Sequence, residues 1–279
     1  MKRTTSLVAA ILLIACTSLA SEDAARVGPS ATAEPGVHKA LINAKVAYVV
    51  ATYTSPVMRP AGLGWDGTHL WMVSDSDQTI YKLDPETMVI LNSMPTPAAN
   101  WSFGLDHDGV NLWGDVDEPD LIYQLDETNG TVLNSFSSPY VSPNGVAFDG
   151  SQVWHSSFGD DLALMNPTTG VLTRAIPSPG NQVPRGLEWV DGTLWVVDGN
   201  GYADDAIYKV DPSDGAVLET YQPSGATFSL IYGLAFDGTH FWLSDLDTDK
   251  IHKLLIAEGL MFADGFEYGD TSGWSFASP

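Results

Sequence analysis

A single cysteine, Cys16, is present in 279 residues. Disulfides and thiolate metal sites within the chain are therefore excluded. Basic residues are scarce as well: Lys and Arg total 12 against 35 Asp and Glu, a net charge of −23. DNA, RNA and anionic membrane surfaces would be repelled, because their phosphates must be met by cations this chain does not have. The same charge suits cationic ligands, metal ions or plain solubility. The apolar run "SLVAAILLIA" near the start falls far short of the ~20 residues a membrane-spanning helix needs. There is no Ser-His-Asp order, nucleophile elbow, phosphate loop or HExxH motif to point to a reaction.

The N-terminus reads as a targeting signal. "MKR" supplies a positive start and the apolar run follows. "LIAC" resembles a bacterial lipobox, with Leu13, a small residue at Ala15, and Cys16 as the residue that would carry lipid. An ordinary signal-peptidase site competes at "SLA" before Ser21. The expected division is a signal peptide over 1–16, a flexible Ala/Ser/Pro-rich tether over 17–44, a folded domain over 45–256 and a C-terminal tail over 257–279. Within the tether a short helix is expected near His38–Ile42.

The folded domain is a repeat. Five segments align on Gly62, Gly104, Gly145, Gly186 and Gly233, which are 42, 41, 41 and 47 residues apart. Each reads as four short strands. A "GLAFD"-like strand A meets a "DG" turn, and an "HFWLS"-like strand B leads into an acidic loop. An "IYKLD"-like strand C then meets a "DPxTG"-like turn before strand D. Trp71, Trp113, Trp154, Trp195 and Trp242 share one position of strand B, and a stripe fixed in the repeat reads as core between units. The last unit has no strand D, while "VVATYTSP" (Val49–Pro56) is a strand D without a unit. Pairing the two would close the sheet and hide its edges.

This pattern resembles the β-propeller superfamily, in the YncE/NHL/SMP-30-like group. The resemblance implies an all-β fold of five four-stranded antiparallel blades, closed by the N-terminal strand. In such a ring the strand B–C loops and the D–A connections share one face, around the mouth of a central channel, and variable loops on a rigid scaffold are where binding residues concentrate. The B–C loops carry Asp75, Asp77, Asp115, Asp117, Asp160, Asp161, Asp198, Asp204, Asp205, Asp245, Asp247 and Asp249. "DLDTD" offers Asp245, Asp247 and Asp249 as oxygen ligands for Ca²⁺. It is not an EF-hand, since Lys250 and Ile256 stand where that loop needs Gly and Glu. The residues before each repeat glycine are Ala61, Phe103, Asn144, Arg185 and Tyr232. With Trp101 nearby, the expected ligand-binding set is Asp75, Trp101, Asp115, Asn144, Arg185, Asp198, Tyr232 and Asp245.

Three finer resemblances bear on activity. "SPNGVAFD" resembles a metal-ligand segment of SMP-30/gluconolactonase propellers, but Ala61, Phe103, Arg185 and Tyr232 stand where that family has its partner ligands. "PRGLEWVDGTLWVVD" is similar to the "NELExVxGxIxAN" segment of plant-type glutaminyl cyclotransferases, which implies Glu188 as an acid/base candidate. The "DPxTG" hairpins are shared with streptogramin B lyase propellers, which use an essential His; His155 is the corresponding candidate. The tail "ADGFEYGDTSGW" resembles an ending found on varied secreted bacterial proteins. The reading of the whole is an exported, monomeric lipoprotein of the outer membrane or periplasm, or a secreted protein. Its loop face binds a protein, peptide or carbohydrate without catalysis and without a required cofactor. An enzyme using Glu188 or His155 is the alternative.

Overall fold

The computed structural model describes residues 40–43, 45–98, 101–159, 161–180, 183–199, 205–257 and 260–263. The described residues form strands and turns and contain no helix. Two compact units are present, one comprising 1–44 with 258–279 and the other Lys45–Ala257. In the first, β1 (Ala40–Asn43) pairs antiparallel with a strand at Leu260–Ala263. The helix expected near His38–Ile42 is corrected over Ala40–Ile42, which are extended and paired with Met261–Ala263; His38 and Lys39 lie outside the described residues.

The larger unit opens with β2 (Val46–Thr54) and continues in four-stranded meanders. The first is β3 (Pro60–Trp65), β4 (Leu70–Ser74), β5 (Thr79–Leu83) and β6 (Ile90–Pro95). The second is β7 (Trp101–His107), β8 (Asn111–Val116), β9 (Leu121–Asp126) and β10 (Val132–Ser137). The third is β11 (Pro143–Phe148), β12 (Val153–Ser157), β13 (Leu162–Met165) and β14 (Leu172–Ile176). An eight-stranded sheet follows. It joins β15 (Pro184–Val190), β16 (Thr193–Asp198), β17 (Ala206–Val210) and β18 (Val217–Ser224) to β19 (Ile231–Phe236), β20 (Phe241–Asp245), β21 (Lys250–Ala257) and β2. The strand at Leu260–Ala263 is β22.

β2 lies antiparallel on β21, from Val46 opposite Ala257 to Thr54 opposite Lys250. Its other edge takes a short parallel pairing with β18, from Gln222 opposite Val46 to Ser224 opposite Tyr48. The sequence gives no sign of that parallel joint. The first strands pack in a circuit: β3 on β7, β7 on β11, β11 on β15, β15 on β19, and β19 back on β3. Glycine makes this approach possible. A Cβ on Gly145 would lie 2.0 Å from the Arg185 carbonyl oxygen, and one on Gly233 would lie 2.2 Å from that of Ala61.

Each core cluster bridges neighbouring meanders, the Trp71 cluster three of them, and holds one repeat-position tryptophan: Trp71, Trp195, Trp242, Trp154 or Trp113. Burying an indole removes about 200 Å² from water, a gross gain of about 5 kcal/mol at ~25 cal/mol/Å². The indole N–H must then find an acceptor, and the "DG" turn provides one. Asp66 accepts from Trp71 Nε1 at 3.0 Å, Asp108 from Trp113 at 2.8 Å, and Asp237 from Trp242 at 3.1 Å. The same carboxylates take the turn N–H groups of His69, Asn111 and His240. Burial alone would raise the Asp66 carboxyl, but Lys82 at 2.8 Å and these donors hold it well below the usual carboxylate range. In the third meander, where Leu164 replaces the strand C Lys or Gln, and in the fourth, where Val190 is inserted before the turn Asp, Trp154 Nε1 and Trp195 Nε1 have no hydrogen-bond partner among the described residues.

Candidate functional site

Backbone clamps bring the strand B–C loops and the D–A connections onto one face. Asp75 N–H donates to Arg59 O, Phe158 N–H to Ser142 O, and Leu246 N–H to Leu230 O. Side chains extend the pattern. Arg59 and Ser142 both adopt positive φ, at 53° and 52°, and each gives its N–H to the carboxylate of a positive-φ aspartate. The pairs are Arg59 with Asp249 at 2.7 Å and Ser142 with Asp120 at 3.0 Å. A turn that leaves an N–H unpaired is stabilised by a short acceptor side chain beside it.

Much of the acidity of this face is thus already engaged. Asp245 is fully buried and accepts from the N–H groups of Ser229 and Leu230 at 2.9 and 3.0 Å. Asp75 accepts from Arg59 Nε at 2.6 Å, and Asp247 from the same guanidinium at 3.2 Å. Asp245, Asp247 and Asp249 therefore do not converge in the way expected for a Ca²⁺ site. Asp247 is spent on the Arg59 guanidinium, a resident cation, and Asp245 and Asp249 on backbone N–H groups. Among the described residues no group of three or more His, Cys, Asp or Glu side chains is arranged to hold a metal ion. Asp160 and Asp204 lie outside the described residues, as do the side chains of Trp101 and Phe103.

The structure does bring Arg185 and Tyr232 together. Both immediately precede repeat glycines, and Gly186 lets β15 lie against the backbone of Tyr232–Leu234. The Arg185 guanidinium sits 4.1 Å over the Tyr232 ring, donates to the Tyr232 hydroxyl, and gives its Nε–H to Gly199 O. Burial pushes the Arg185 pKa down, opposed by Tyr232, Asp205, Asp198 and Asp247. Burial raises the Tyr232 hydroxyl; Arg185 opposes this, and Asp75 and Asp115 add to it. Asp198, one of the acids acting on Arg185, is also buried, at 3% exposure, as is Asn144 at 6%. A guanidinium and a phenol thus meet at one spot, with Asp75, Asp115, Asp198, Asp205 and Asp247 close enough to act on them.

The acid/base candidates stand elsewhere. His155 is fully buried, its Nε2 between the hydroxyls of Ser138 (2.8 Å) and Ser157 (3.0 Å). Burial lowers its pKa to about 3, so it is neutral and shielded from any ligand at the surface. Glu188 is partly exposed, yet the surrounding protein and the nearby Asp106 push its carboxyl well above the usual range. It accepts the N–H of Trp189 and that of Phe236 in the next meander. Asp106 holds the same repeat position two meanders earlier and behaves alike. It accepts Phe148 N–H at 2.6 Å from the following meander, and burial raises its carboxyl. Asp106 was missed in the sequence; the signal was a second acid at a position otherwise occupied by Gly64, Ala147 and Ala235.

The fold is similar to the crystal structure of Myxococcus xanthus glutaminyl cyclase, at 14% identity and a TM-score of 0.65, covering 79% of this chain and 98% of that one. A second similar structure is selenomethionine-substituted virginiamycin B lyase from Staphylococcus aureus, at 14% identity and a TM-score of 0.48, covering 74% of this chain and 99% of that one. No protein-family profile and no curated protein matches the chain. At such identities the likeness establishes an all-β, propeller-like architecture and nothing about activity.

Proposed function

We propose that residues 45–256 form a five-bladed β-propeller closed by β2, and that its loop face binds a ligand without catalysis. The reading extends to export: Cys16 is the lipid attachment point, and the domain acts in the periplasm, at the outer membrane or outside the cell. The observation that supports binding over catalysis is where the proton-active groups point. Glu188 and Asp106 spend their carboxylates on backbone N–H groups, and His155 is enclosed. The spot around Arg185 and Tyr232 instead offers polar groups fixed by one another, which suits recognition. The excess of carboxylates on the same face favours a ligand with positive charge, and a basic peptide fits best.

A second reading keeps one supporting observation. Glu188 carries a raised pKa and some accessible surface, as a proton-transfer group would. With the glutaminyl cyclase likeness of fold, it makes cyclisation of N-terminal glutamine the reaction to assay. Thermal-shift titration of the protein with basic peptides, neutral oligosaccharides and Ca²⁺ separates the readings. A selective ligand at 100 times its Kd stabilises by about 2.7 kcal/mol. Binding of basic peptides that is weakened in Asp198→Asn supports the first reading. Turnover of a glutaminyl peptide that is lost in Glu188→Gln overturns it.

A further inference from the structure

We propose that the seam between the second and third meanders is a binding site for a primary alkylammonium group, the kind a lysine side chain carries. The repeat supplies the argument. Directly across the strands from the five core tryptophans stand Lys82 (opposite Trp71), Gln124 (Trp113), Leu164 (Trp154), Lys209 (Trp195) and Lys253 (Trp242). Where a lysine is present, its ammonium lies over the indole: 5.0 Å from the Trp71 ring centre, 5.3 Å from that of Trp195 and 4.8 Å from that of Trp242. Two of these ammonium groups also pair with the turn carboxylate, Lys82 with Asp66 at 2.8 Å and Lys253 with Asp237 at 3.4 Å. Lys253 reaches Glu86 of the adjoining meander as well, at 3.6 Å, and so spans a seam. The third meander dispenses with the cation, and Leu164 joins an apolar cluster there.

The second meander keeps the carboxylate and the indole but not the lysine. Asp108 accepts from Trp113 Nε1 at 2.8 Å and from Gln124 Nε2, at the position of Lys82, at 3.0 Å. Both donors are neutral, so the hydrogen bond of the sister sites is replaced and their positive charge is not. A cavity of about 390 Å³ opens at this point, bounded by Asp108, Trp113, Gln124, Leu133, Phe148 and Pro167. Small-ligand sites have this size. Its walls suit an ammonium on an aliphatic stem. Asp108, half-buried, supplies the opposite charge. Phe148, also half-buried and stacked 6.3 Å from Trp113, supplies an aromatic face for the cation. Leu133, half exposed, offers hydrocarbon to the stem. Asn134 holds the far wall in place by donating from Nδ2 to Pro167 O at 2.9 Å. One carboxylate between apolar walls gives too few oxygens for a metal ion, which leaves an organic cation as the ligand that fits. No residue here belongs to the Arg185–Tyr232 spot, so the inference is independent of the loop-face reading.

n-Butylammonium, a lysine side chain without its backbone, is the probe, titrated into the intact protein at constant ionic strength. The indole ¹H–¹⁵N resonance of Trp113 reports, because its proton is bonded to Asp108. It should shift along a saturating curve with a Kd of about 1–10 mM. A response to n-butylammonium alone assigns the site to free amines, and a response to Nα-acetyl-lysine amide as well extends it to a lysine within a partner chain. The variant Gln124→Lys gives the seam the lysine of its sisters; it should abolish these responses and raise the melting temperature by about 2–4 °C. A Trp113 indole that does not move at about 100 mM n-butylammonium overturns the proposal. So does an equal response to n-butanol, which would mean that the cavity takes hydrocarbon without regard to charge. Both of these readings come from the wild-type protein and hold even if the variant does not fold.

Discussion

The Arg185 guanidinium sits over the ring of Tyr232, 4.1 Å from its centroid, and donates to the hydroxyl of the same side chain. Stacking and hydrogen bonding therefore draw on one partner, and a third contact, to Gly199 O, fixes the long side chain. Tyr232→Phe keeps the stack and removes the acceptor, so it should cost about 1–2 kcal/mol. Arg185→Ala removes the cation–π contact and frees two buried acceptors; a loss of about 2–4 kcal/mol is expected. Urea denaturation of the two variants checks the order. Equal, near-zero losses would mean the pair is screened by solvent and orders nothing.

The repeat made the strands, the turns and the tryptophan core legible, because each depends on local chemistry that recurs: Gly in "DG" turns, Asp beside Pro, and Trp at one register. The ladder between β2 and β21 was legible for the same reason, since a strand D appears at one end of the chain and is missing at the other. The loop acids were the harder case. Asp245 and Asp249 cap backbone N–H groups, and a carboxylate that caps an amide has the same sequence signature as one that awaits a ligand. The joining of Arg185 to Tyr232 depends on how two meanders lean together across Gly186, which no local pattern encodes. Asp106 was hidden because its role lies in the neighbouring meander, at Phe148 N–H.

The raised carboxyls should make stability fall as pH rises from about 4 to about 7. Asp106, Asp115 and Glu188 all have folded pKa values raised by burial. Each therefore contributes stability that is fully present below its unfolded pKa, about 4, and is lost as pH rises through the folded value. Below about 6.5 the histidines oppose this gain. His155, lowered to about 3, and His240 and His252, also lowered by burial, must then gain protons on unfolding, which costs stability as pH drops. The melting temperature should thus peak in the mildly acidic range. Asp106→Asn and Glu188→Gln should each flatten the fall with rising pH when scanned by calorimetry. A fall unchanged in both variants would locate the pH sensitivity elsewhere.

The turn aspartates should not be equivalent. Asp66 holds the Trp71 indole, Lys82 and two turn N–H groups. Asp149 at the matching place in the third meander accepts from Ser151 and Gln152 alone. Asp66→Ala strands a buried indole N–H and an ammonium, and should cost about 3 kcal/mol. Asp149→Ala loses only turn bonds at the surface and should cost about 1 kcal/mol. Chemical denaturation of both proteins measures the difference directly. Equal costs would show that the turn, and not the indole, sets the energy.

Two glycines separate crowding from backbone strain. Gly109 has φ +93° and nothing within 4 Å of where a methyl would stand, so Gly109→Ala meets only the penalty for a left-handed backbone, about 1–2 kcal/mol. Gly145 carries no such φ, but its methyl would lie 2.0 Å from Arg185 O and 2.8 Å from Ser156 Oγ. Both contacts belong to the seam between the third meander and the fourth, where Ser156 donates to that same carbonyl. An added carbon must therefore push two packed strands apart and break their hydrogen bond, because neither backbone can yield alone. Gly145→Ala should lose more than about 4 kcal/mol or fail to accumulate as folded protein. Its effect should extend to Arg185, which is carried on the displaced strand, so the variant should disturb the Arg185–Tyr232 contact wherever it does fold. A Gly145→Ala protein as stable as Gly109→Ala would mean that the first strands do not meet backbone to backbone at this seam.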